Sequence, residues 1–179
     1  VELVDFFAFA PREPFDGAVF MGTLEHVGDT DAVARFLHRH LRPEARAAGV
    51  TLRRQRIGDA IPDLRVDPEK MKQVVINLVQ NAIEAMPGGG VVTVESGLVE
   101  GRAVMLVRDS GPGLPEGLDV FQLFVTTKAR GTGLGLSIAQ QIVLEHGGEI
   151  AAATEPGKGA VFTVSLPVER PDEAAGDEA

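Results

Sequence analysis

Two asparagines and a glutamate share one face of a predicted amphipathic helix. At about 100° per residue, Asn77, Asn81 and Glu84 fall within about 60° of one another, opposite an apolar stripe. A polar face of this kind is often simply solvated. Asparagine, however, is a poor helix former compared with Glu or Lys, and its amide oxygen is a hard ligand that suits Mg²⁺. The pattern therefore leaves two interpretations, a solvated face and a metal-binding face.

A carboxylate follows this helix at the end of a predicted strand. Asp109 leads into the turn Ser110-Gly-Pro-Gly113. Asp, Gly and Pro are ordinary turn residues, so a tight turn explains the pattern on conformational grounds alone. In the functional interpretation, Asp109 accepts a hydrogen bond from an adenine amino group. Gly111 and Gly113 then let the backbone lie close under the base.

A glycine-rich loop precedes another predicted helix. Its sequence is Gly131-Thr-Gly-Leu-Gly135, followed by Leu136. A dinucleotide-binding fingerprint would need glycine at position 136, and a P-loop would need Gly-Lys-Ser/Thr. Glycines at a helix N-terminus still favour an anion, because free N–H groups and the positive end of the helix dipole point at it. A flexible hinge is the alternative, and Lys128 on the preceding loop is either a phosphate contact or a solvated side chain.

Bulk properties bound the class of protein. The 179 residues suit one domain with a short appendage, and an apolar content of 44 % can fill a core. No apolar run approaches the roughly 18 residues of a membrane span, and no secretory leader is visible. The absence of cysteine fits a reducing compartment, so we expect a cytoplasmic segment without membrane contact. The net charge of −9 argues against nucleic acid as a main partner.

The spacing of apolar and turn residues predicts the elements that carry these side chains. Asp67 is the expected N-cap of the central helix, and Pro68 is its first residue. Apolar residues recur at i, i+3, i+4 and i+7 up to Met86, where a proline and three glycines follow. His146 is interpreted as a helix-end residue favoured by the helix dipole. The other predicted elements are helices over 31–48 and 133–145, and strands beginning at 50 and over 91–95, 103–107, 149–154 and 160–166.

We predict three segments along the chain. Residues 1–14 are interpreted as the end of a helix and a linker, because an apolar run leads into Pro11 and Pro14. Residues 15–168 form the domain itself. Within it, residues 114–130 are a long loop of the kind that is usually functional or mobile. Residues 169–179 are an acidic tail predicted to be disordered.

Taken together, these motifs resemble the catalytic ATP-binding domain of sensor histidine kinases, in the GHKL superfamily with its Bergerat fold. Residues 73–86 resemble the N box, 109–113 the G1 box, 121–128 the F box, 131–135 the G2 box and 157–162 the last glycine box. The residues in these motifs are most similar to those of the nitrogen-regulation class of these kinases. The resemblance covers about residues 67–167 in the right order. It implies a two-layer α/β sandwich, a mixed sheet covered on one face by helices. It also implies that the helix end within residues 1–14 belongs to a dimerisation domain.

The resemblance also implies a role for each matched residue. Asn81 would hold Mg²⁺ against the triphosphate with Asn77 beside it, and Asp109 would read adenine. Residues 114–130 would be the lid over ATP. The candidate catalytic residues are then Asn77, Asn81 and Lys128. The implied ATP-binding residues are Asn77, Asn81, Glu84, Asp109, Gly111, Gly113, Thr126, Thr127, Lys128, Gly131, Thr132, Gly133, Leu134 and Gly135.

The implied activity is transfer of the γ-phosphate of ATP to a histidine on a dimerisation domain, with a response-regulator receiver domain as a further partner. None of the four histidines is followed by Glu or Asp, so the phospho-acceptor is expected outside this chain. Other kinases of the family often carry a basic residue at the position of Glu84. A phosphate contact is therefore expected to shift to Lys128.

Two other functions remain open for these residues. One is ATP hydrolysis, as in the GHKL ATPases, where a glutamate four residues before the metal-binding asparagine activates water. Here that position is Asn77, which cannot act as a carboxylate base. The other is a non-catalytic nucleotide-binding module, against which the intact N, G1 and G2 boxes argue.

Overall fold

The computed structural model of the chain describes residues 4–5, 39, 41–62, 64–125, 132–155 and 157–168. Its helices in this part are α1 (Arg42–Ala47), α2 (Pro68–Glu84) and α3 (Gly135–Glu145). The strands are β1 (Val4–Asp5), β2 (Val50–Arg56), β3 (Gly90–Val99), β4 (Arg102–Asp109), β5 (Glu149–Glu155) and β6 (Gly159–Pro167). In this described part, no helix has the length and apolar character needed to cross a membrane.

The strands form one mixed sheet in the order β1-β2-β3-β4-β6-β5. Strands β2 and β3 are parallel, whereas the other neighbouring pairs are antiparallel. A parallel pair needs a crossover connection, and α2 supplies it. Helices α2 and α3 pack against each other and against the sheet, and their apolar residues join those of the strands in one core. The predicted α/β sandwich, a mixed sheet covered on one face by helices, is confirmed.

Helix α2 is the central element, and its start follows from the local sequence. Asp67 is the N-cap, as predicted, and its Oδ1 accepts hydrogen bonds from the backbone N–H groups of Glu69 at 2.9 Å and Lys70 at 3.1 Å. Pro68 lies in the first turn, where a backbone N–H would have no hydrogen-bond acceptor within the helix, so its absence in proline costs nothing. The apolar stripe ending at Ile83 is buried against the sheet, which leaves the asparagine face outside the core.

The N-terminus of α2 is tied to the C-terminus of α3. The backbone N–H of Asp67 donates to Nε2 of His146 at 2.9 Å, and Nδ1 of the same ring donates to the Ile142 carbonyl at 2.7 Å. Nζ of Lys70 lies 2.8 Å from Oε2 of Glu145. His146 is the C-cap of α3, in agreement with its interpretation as a helix-end residue. Its bond to the other helix joins residues far apart in the chain, so local spacing could not reveal it.

These contacts shift three pKa values. The hydrogen bond between Lys70 and Glu145 lowers the pKa of Glu145 and raises the pKa of Lys70. The backbone N–H of Lys70 lowers the pKa of Asp67. Because the two carboxyl pKa values are lowered on folding, their stabilisation is complete at neutral pH and is lost as the pH falls through the folded-state values. The contribution of Lys70 is fully present below the unfolded pKa of lysine and is lost as the pH rises through its folded-state value.

We expect Glu145→Gln to reduce the fall in Tm that accompanies acidification. The parent chain should lose Tm as the pH falls below about 4, where an unfolded glutamate binds its proton. The variant should be less stable than the parent at neutral pH and should lose less on acidification. Thermal unfolding followed by circular dichroism measures both. Glu116→Gln, which removes an exposed carboxylate from the loop after β4, should behave as the parent does. An unchanged acid slope in Glu145→Gln would contradict the role of this ion pair.

The predicted N-terminal helix differs from the structure where the two can be compared. Val4–Asp5 form strand β1, antiparallel to β2, so the predicted helix end is wrong at these two residues. The reason is the outer edge of β2, whose backbone groups are available for pairing. The rest of residues 1–14 and all of 169–179 lie outside the described residues, so the segment boundaries stay predictions. The helix predicted over 31–48 is confirmed at its C-terminal end as α1.

Strand β3 continues past its predicted end at residue 95 and includes Gly97, which lies between the two strands predicted over 91–95 and 103–107. The backbone that follows β2, residues 57–59, pairs with this extension. The N–H of Ile57 donates to the Ser96 carbonyl at 3.0 Å. A Cβ at Gly97 would overlap the Ile57 carbonyl, so glycine is needed for the two backbones to approach. The extension of β3 is therefore paired on both sides, with β4 along its whole length and with residues 57–59 on the other side.

Candidate nucleotide site

The side chains and loops predicted to carry chemistry meet around a cavity of about 620 Å³. Small-molecule sites have volumes of roughly 300–1,000 Å³. The walls come from α2, the turn after β4, the loop that follows this turn, the N-terminus of α3 and the start of β6. The predicted site residues that line the cavity are Asn77, Asn81, Glu84, Asp109, Gly113, Thr132, Gly133 and Gly135.

Two further predicted site residues in the described part of the chain, Gly111 and Leu134, do not line the cavity. The backbone N–H of Gly111 contacts the carboxylate of Asp109, and Leu134 is the N-cap of α3. Lys128 lies outside the described residues. Its expected phosphate contact, in place of one from a basic residue at position 84, therefore stays a prediction. The predicted residues outside that part are Thr126, Thr127, Lys128 and Gly131.

The carboxylate of Asp109 is buried at the wall of the cavity, with only 5 % of the residue exposed. Its Oδ1 accepts hydrogen bonds from the backbone N–H groups of Gly111 at 2.8 Å and Ala160 at 3.1 Å. Pairing of β4 with β3 and β6 fixes the backbone from which the side chain extends. A carboxylate oriented through one oxygen can offer the other to a hydrogen-bond donor of a ligand.

Gly159 lets strand β6 begin against Asp109. A Cβ at Gly159 would lie 2.6 Å from Oδ1 of Asp109 and closer still to its carbonyl oxygen, and the backbone φ is +97°. Both the close approach and the left-handed backbone require glycine. The N–H of the next residue, Ala160, therefore reaches the carboxylate.

We expect Gly159→Ala to destabilise the domain by roughly 2–6 kcal/mol, since overpacking and a strained backbone each cost about 1–3 kcal/mol. Gly157→Ala is a matched control in the same turn. Its φ is +73°, but a Cβ there meets nothing within 4 Å, so it should show the conformational cost alone. Urea unfolding of the two variants measures the difference. Equal free energies of unfolding for the two variants would show that the close approach of Gly159 to Asp109 does not affect stability.

Asn77 connects α2 to α3 at the edge of the cavity. Its Nδ2 donates to the carbonyl of Gly135 at 2.9 Å, and its Oδ1 accepts from Nε2 of Gln73 at 2.7 Å. Both ends of the amide are thus engaged by protein groups, which a simple solvated face does not require. A carboxylate at this position could not donate to the Gly135 carbonyl.

Asn81 and Glu84 continue the same face of α2 along the cavity, so this face borders a cavity as well as solvent. In the ranges that the structure describes, no cluster of three or more His, Cys, Asp or Glu side chains could hold a metal ion. A cation held by a single amide oxygen must take its other ligands from water and substrate. Mg²⁺ is usually bound in this way, through few protein ligands and substrate phosphates.

The glycine loop packs against the loop that precedes it. The N–H of Phe124 donates to the carbonyl of Gly133 at 3.1 Å. A Cβ at Gly133 would lie 2.5 Å from the carbonyl carbon of Phe124, and the φ of Gly133 is +67°. The N-cap of α3, Leu134, makes no side-chain capping bond. The first N–H groups of α3 therefore lack a side-chain cap, an arrangement that suits a phosphate group.

Sequence reasoning missed the apolar part of the lining. The ring of Phe162 faces the ring of Phe121 edge-on, with centroids 6.4 Å apart. Alternation along β6 marks Phe162 as inward-facing, but no local signal separates a side chain in the core from one at a cavity wall. An apolar wall suits a purine base, and polar motifs alone do not show where it lies. The apolar lining residues are Ala82, Ala85, Leu114, Pro115, Leu118, Val120, Val125, Leu136, Ala160 and Phe162.

Comparison with known sequences agrees with this geometry. Residues 66–170 match the family model HATPase_c, described as Histidine kinase-, DNA gyrase B-, and HSP90-like ATPase. Sporulation kinase C of Bacillus subtilis (strain 168) is 46 % identical over 104 residues, which cover 57 % of this chain and 24 % of that kinase. Sensor histidine kinase ZraS of Escherichia coli (strain K12) is 43 % identical over 112 residues, which cover 62 % of this chain and 24 % of that kinase. The chain thus spans about a quarter of the length of these relatives.

Solved structures agree as well. The nucleotide-free catalytic domain of histidine kinase ThkA matches with a TM-score of 0.66 at 32 % identity, over 78 % of this chain and 92 % of that one. The mycobacterial sensor histidine kinase MprB matches with a TM-score of 0.62 at 28 % identity, over 75 % of this chain and 93 % of that one. The chain belongs to the family of histidine kinase-, DNA gyrase B- and HSP90-like ATPases. Within this family it is an ATP-binding catalytic domain of the sensor histidine kinase type.

Proposed function

We propose that this domain binds ATP together with Mg²⁺ and presents the γ-phosphate to a histidine on a dimerisation domain outside this chain. The observation that carries the proposal is the amide of Asn77. It donates to the Gly135 carbonyl at the position where GHKL ATPases carry a water-activating glutamate. An amide is not a general base, so transfer to a protein is favoured over hydrolysis.

In this proposal the base of ATP lies at the Asp109 end of the cavity. Oδ1 of Asp109 is held by backbone N–H groups, so Oδ2 is the oxygen that accepts from the adenine amino group. The apolar wall that includes Phe162 supports the base. The phosphates lie toward Gly133 and Gly135, at the N-terminus of α3, where the helix dipole favours negative charge.

The donor set of the cavity fits Mg²⁺ in this proposal. Asn81 supplies a neutral amide oxygen at the cavity wall, and the described residues contain no acidic cluster that would bind a cation by itself. A hard cation with one protein ligand depends on the phosphates for its other ligands. Bound there, Mg²⁺ would neutralise charge on the triphosphate. We therefore propose that Mg²⁺ and ATP bind to the domain together.

The contribution of the domain to transfer is positioning and charge stabilisation, which dominate phosphoryl transfer in general. An imidazole nitrogen of the acceptor forms the new bond to the γ-phosphorus, the bond to the β–γ bridging oxygen breaks, and ADP leaves. The acceptor domain supplies the base that takes the imidazole proton. We also propose a response-regulator receiver domain as the next acceptor, and a cytoplasmic location, where ATP is available.

Phosphate release by the chain alone tests this function against hydrolysis. With Mg²⁺ and ATP, the parent chain should release no more phosphate than ATP alone does. Asn77→Gln, which keeps an amide, should behave likewise. Asn77→Glu should release phosphate faster, by up to about 100-fold, because a carboxylate can act as a general base toward water. Sustained release by the parent at about 1 s⁻¹ or faster would make the domain a hydrolase.

A further inference from the structure

Thr154, on strand β5, contacts the segment that follows the Asp109 turn through both branches of its side chain. Its Oγ1 accepts a hydrogen bond from the N–H of Leu114 at 2.8 Å and lies 3.4 Å from the Leu114 carbonyl, to which it donates. Its methyl group packs against Gly113, where an added Cβ would lie 2.6 Å from Cγ2. Leu114 and Gly113 line the cavity, whereas Thr154 itself does not.

The same end of the β5–β6 hairpin also holds Asp109. Thr154 pairs directly with Ala160 in the register of the two strands. The N–H of Ala160 donates to Oδ1 of Asp109 at 3.1 Å, while the hydroxyl of Thr154 binds the backbone of Leu114. This end of the hairpin therefore forms hydrogen bonds with the first and the last residue of the segment 109–114. This segment carries the carboxylate and the glycines proposed to form the base end of the ATP site.

We infer that Thr154 is a positioning residue for recognition of the nucleotide base. This inference rests on the proposed ATP site and adds a residue to it. The hydroxyl fixes the position of the Leu114 and Gly113 backbone relative to Asp109. The carboxylate and the backbone proposed to lie under the base are therefore held in one arrangement. Gly113 has no Cβ and adopts a φ of +83°, so its backbone lacks the restraint that a side chain would supply, and Thr154 restrains it by packing against it from β5.

The test compares Thr154→Val, which keeps the shape and removes the hydroxyl, with Thr154→Ser, which keeps the hydroxyl. Titration calorimetry on the full chain gives the affinities for ATP and ADP. A neutral hydrogen bond of this kind corresponds to an affinity loss of about 2- to 10-fold. Thr154→Val should show this loss equally for ATP and ADP, because the base end is common to both. Thr154→Ser should retain the affinity of the parent.

Thr163→Val is the matched control, because it makes the same replacement on β6 on the opposite face of the sheet from Phe162. It should leave both affinities unchanged. A further readout is the double variant with Asp109→Asn. Its loss should be smaller than the product of the single losses, because both act on the same recognition. Independent, fully multiplicative losses would contradict the inference.

A merely structural role predicts a different result. In that case Thr154→Val lowers Tm, while the affinities measured well below Tm stay those of the parent, and the inference is overturned. Failure of the proposed transfer is visible separately. A parent chain that binds ATP but releases phosphate steadily overturns the transfer function, and the effect of Thr154→Val on affinity is then still measured. Unchanged affinities in Thr154→Val overturn the role of Thr154 alone.

Discussion

Replacing Asp109 with asparagine is expected to weaken ATP binding about 10- to 150-fold, or about 1.5–3 kcal/mol, while the domain stays folded. The asparagine Oδ1 can still accept from the N–H groups of Gly111 and Ala160, which now bind Oδ1 of the carboxylate. The amide nitrogen then takes the place of Oδ2. Since it is a donor, it cannot accept from the adenine amino group. Titration calorimetry with ATP measures the loss.

Two controls separate recognition from folding in this experiment. Glu95→Gln removes a carboxylate from the neighbouring strand β3, where it pairs with Arg108, and should leave ATP affinity unchanged. Asp109→Ala should lose affinity and also stability, because two buried backbone N–H groups lose their acceptor. If Asp109→Asn binds ATP as tightly as the parent, the assignment of Asp109 to the base is wrong.

Asn81→Ala should abolish the coupling between Mg²⁺ and ATP. In the parent chain, Mg²⁺ should increase ATP affinity, because the cation is bound by the phosphates and the Asn81 amide together. In the variant, the ratio of ATP affinities with and without Mg²⁺ should fall to about 1, the value for no coupling. Titrations of ATP with Mg²⁺ and with a chelator measure this ratio.

Gln141→Ala is the control for the loss of an amide side chain. It lies on α3, where its amide binds Glu145, and should keep the coupling of the parent. A normal Mg²⁺ effect in Asn81→Ala would rule out Asn81 as the metal ligand. The remaining ATP affinity of this variant is informative as well, because the Asp109 end of the cavity is left intact.

The helix face with the asparagines could be predicted because its signals are local. A cap at Asp67, a proline at the first helical position and an apolar repeat of helical period fix both the start of α2 and its buried side. The face opposite that side then follows from geometry. The position of Asp109 at a strand end was predicted for the same reason, since the turn residues behind it stop β4.

The connections between these elements could not be predicted, because they join residues far apart in the chain. Three such contacts depend on how the sheet is assembled. They are the hydrogen bond from Asn77 to Gly135, the hydrogen bonds between Thr154 and Leu114, and the pairing of residues 57–59 with β3. Gly97 illustrates the difficulty. A glycine in a local window predicts a turn, whereas in the fold it permits a close approach of two backbones. The roles of the individual site residues toward ATP stay predictions.

Transfer of the γ-phosphate of labelled ATP to a histidine distinguishes the proposed kinase function from hydrolysis. The chain is incubated with Mg²⁺, ATP labelled at the γ-phosphate and a histidine-bearing dimerisation domain supplied as a separate polypeptide, and label on protein and in free phosphate is followed. We expect acid-labile label on the histidine of the added domain, dependent on Asn81 and Asp109, without steady release of free phosphate. Label that appears only as free phosphate, at the same rate with and without the added domain, would contradict the proposed kinase function.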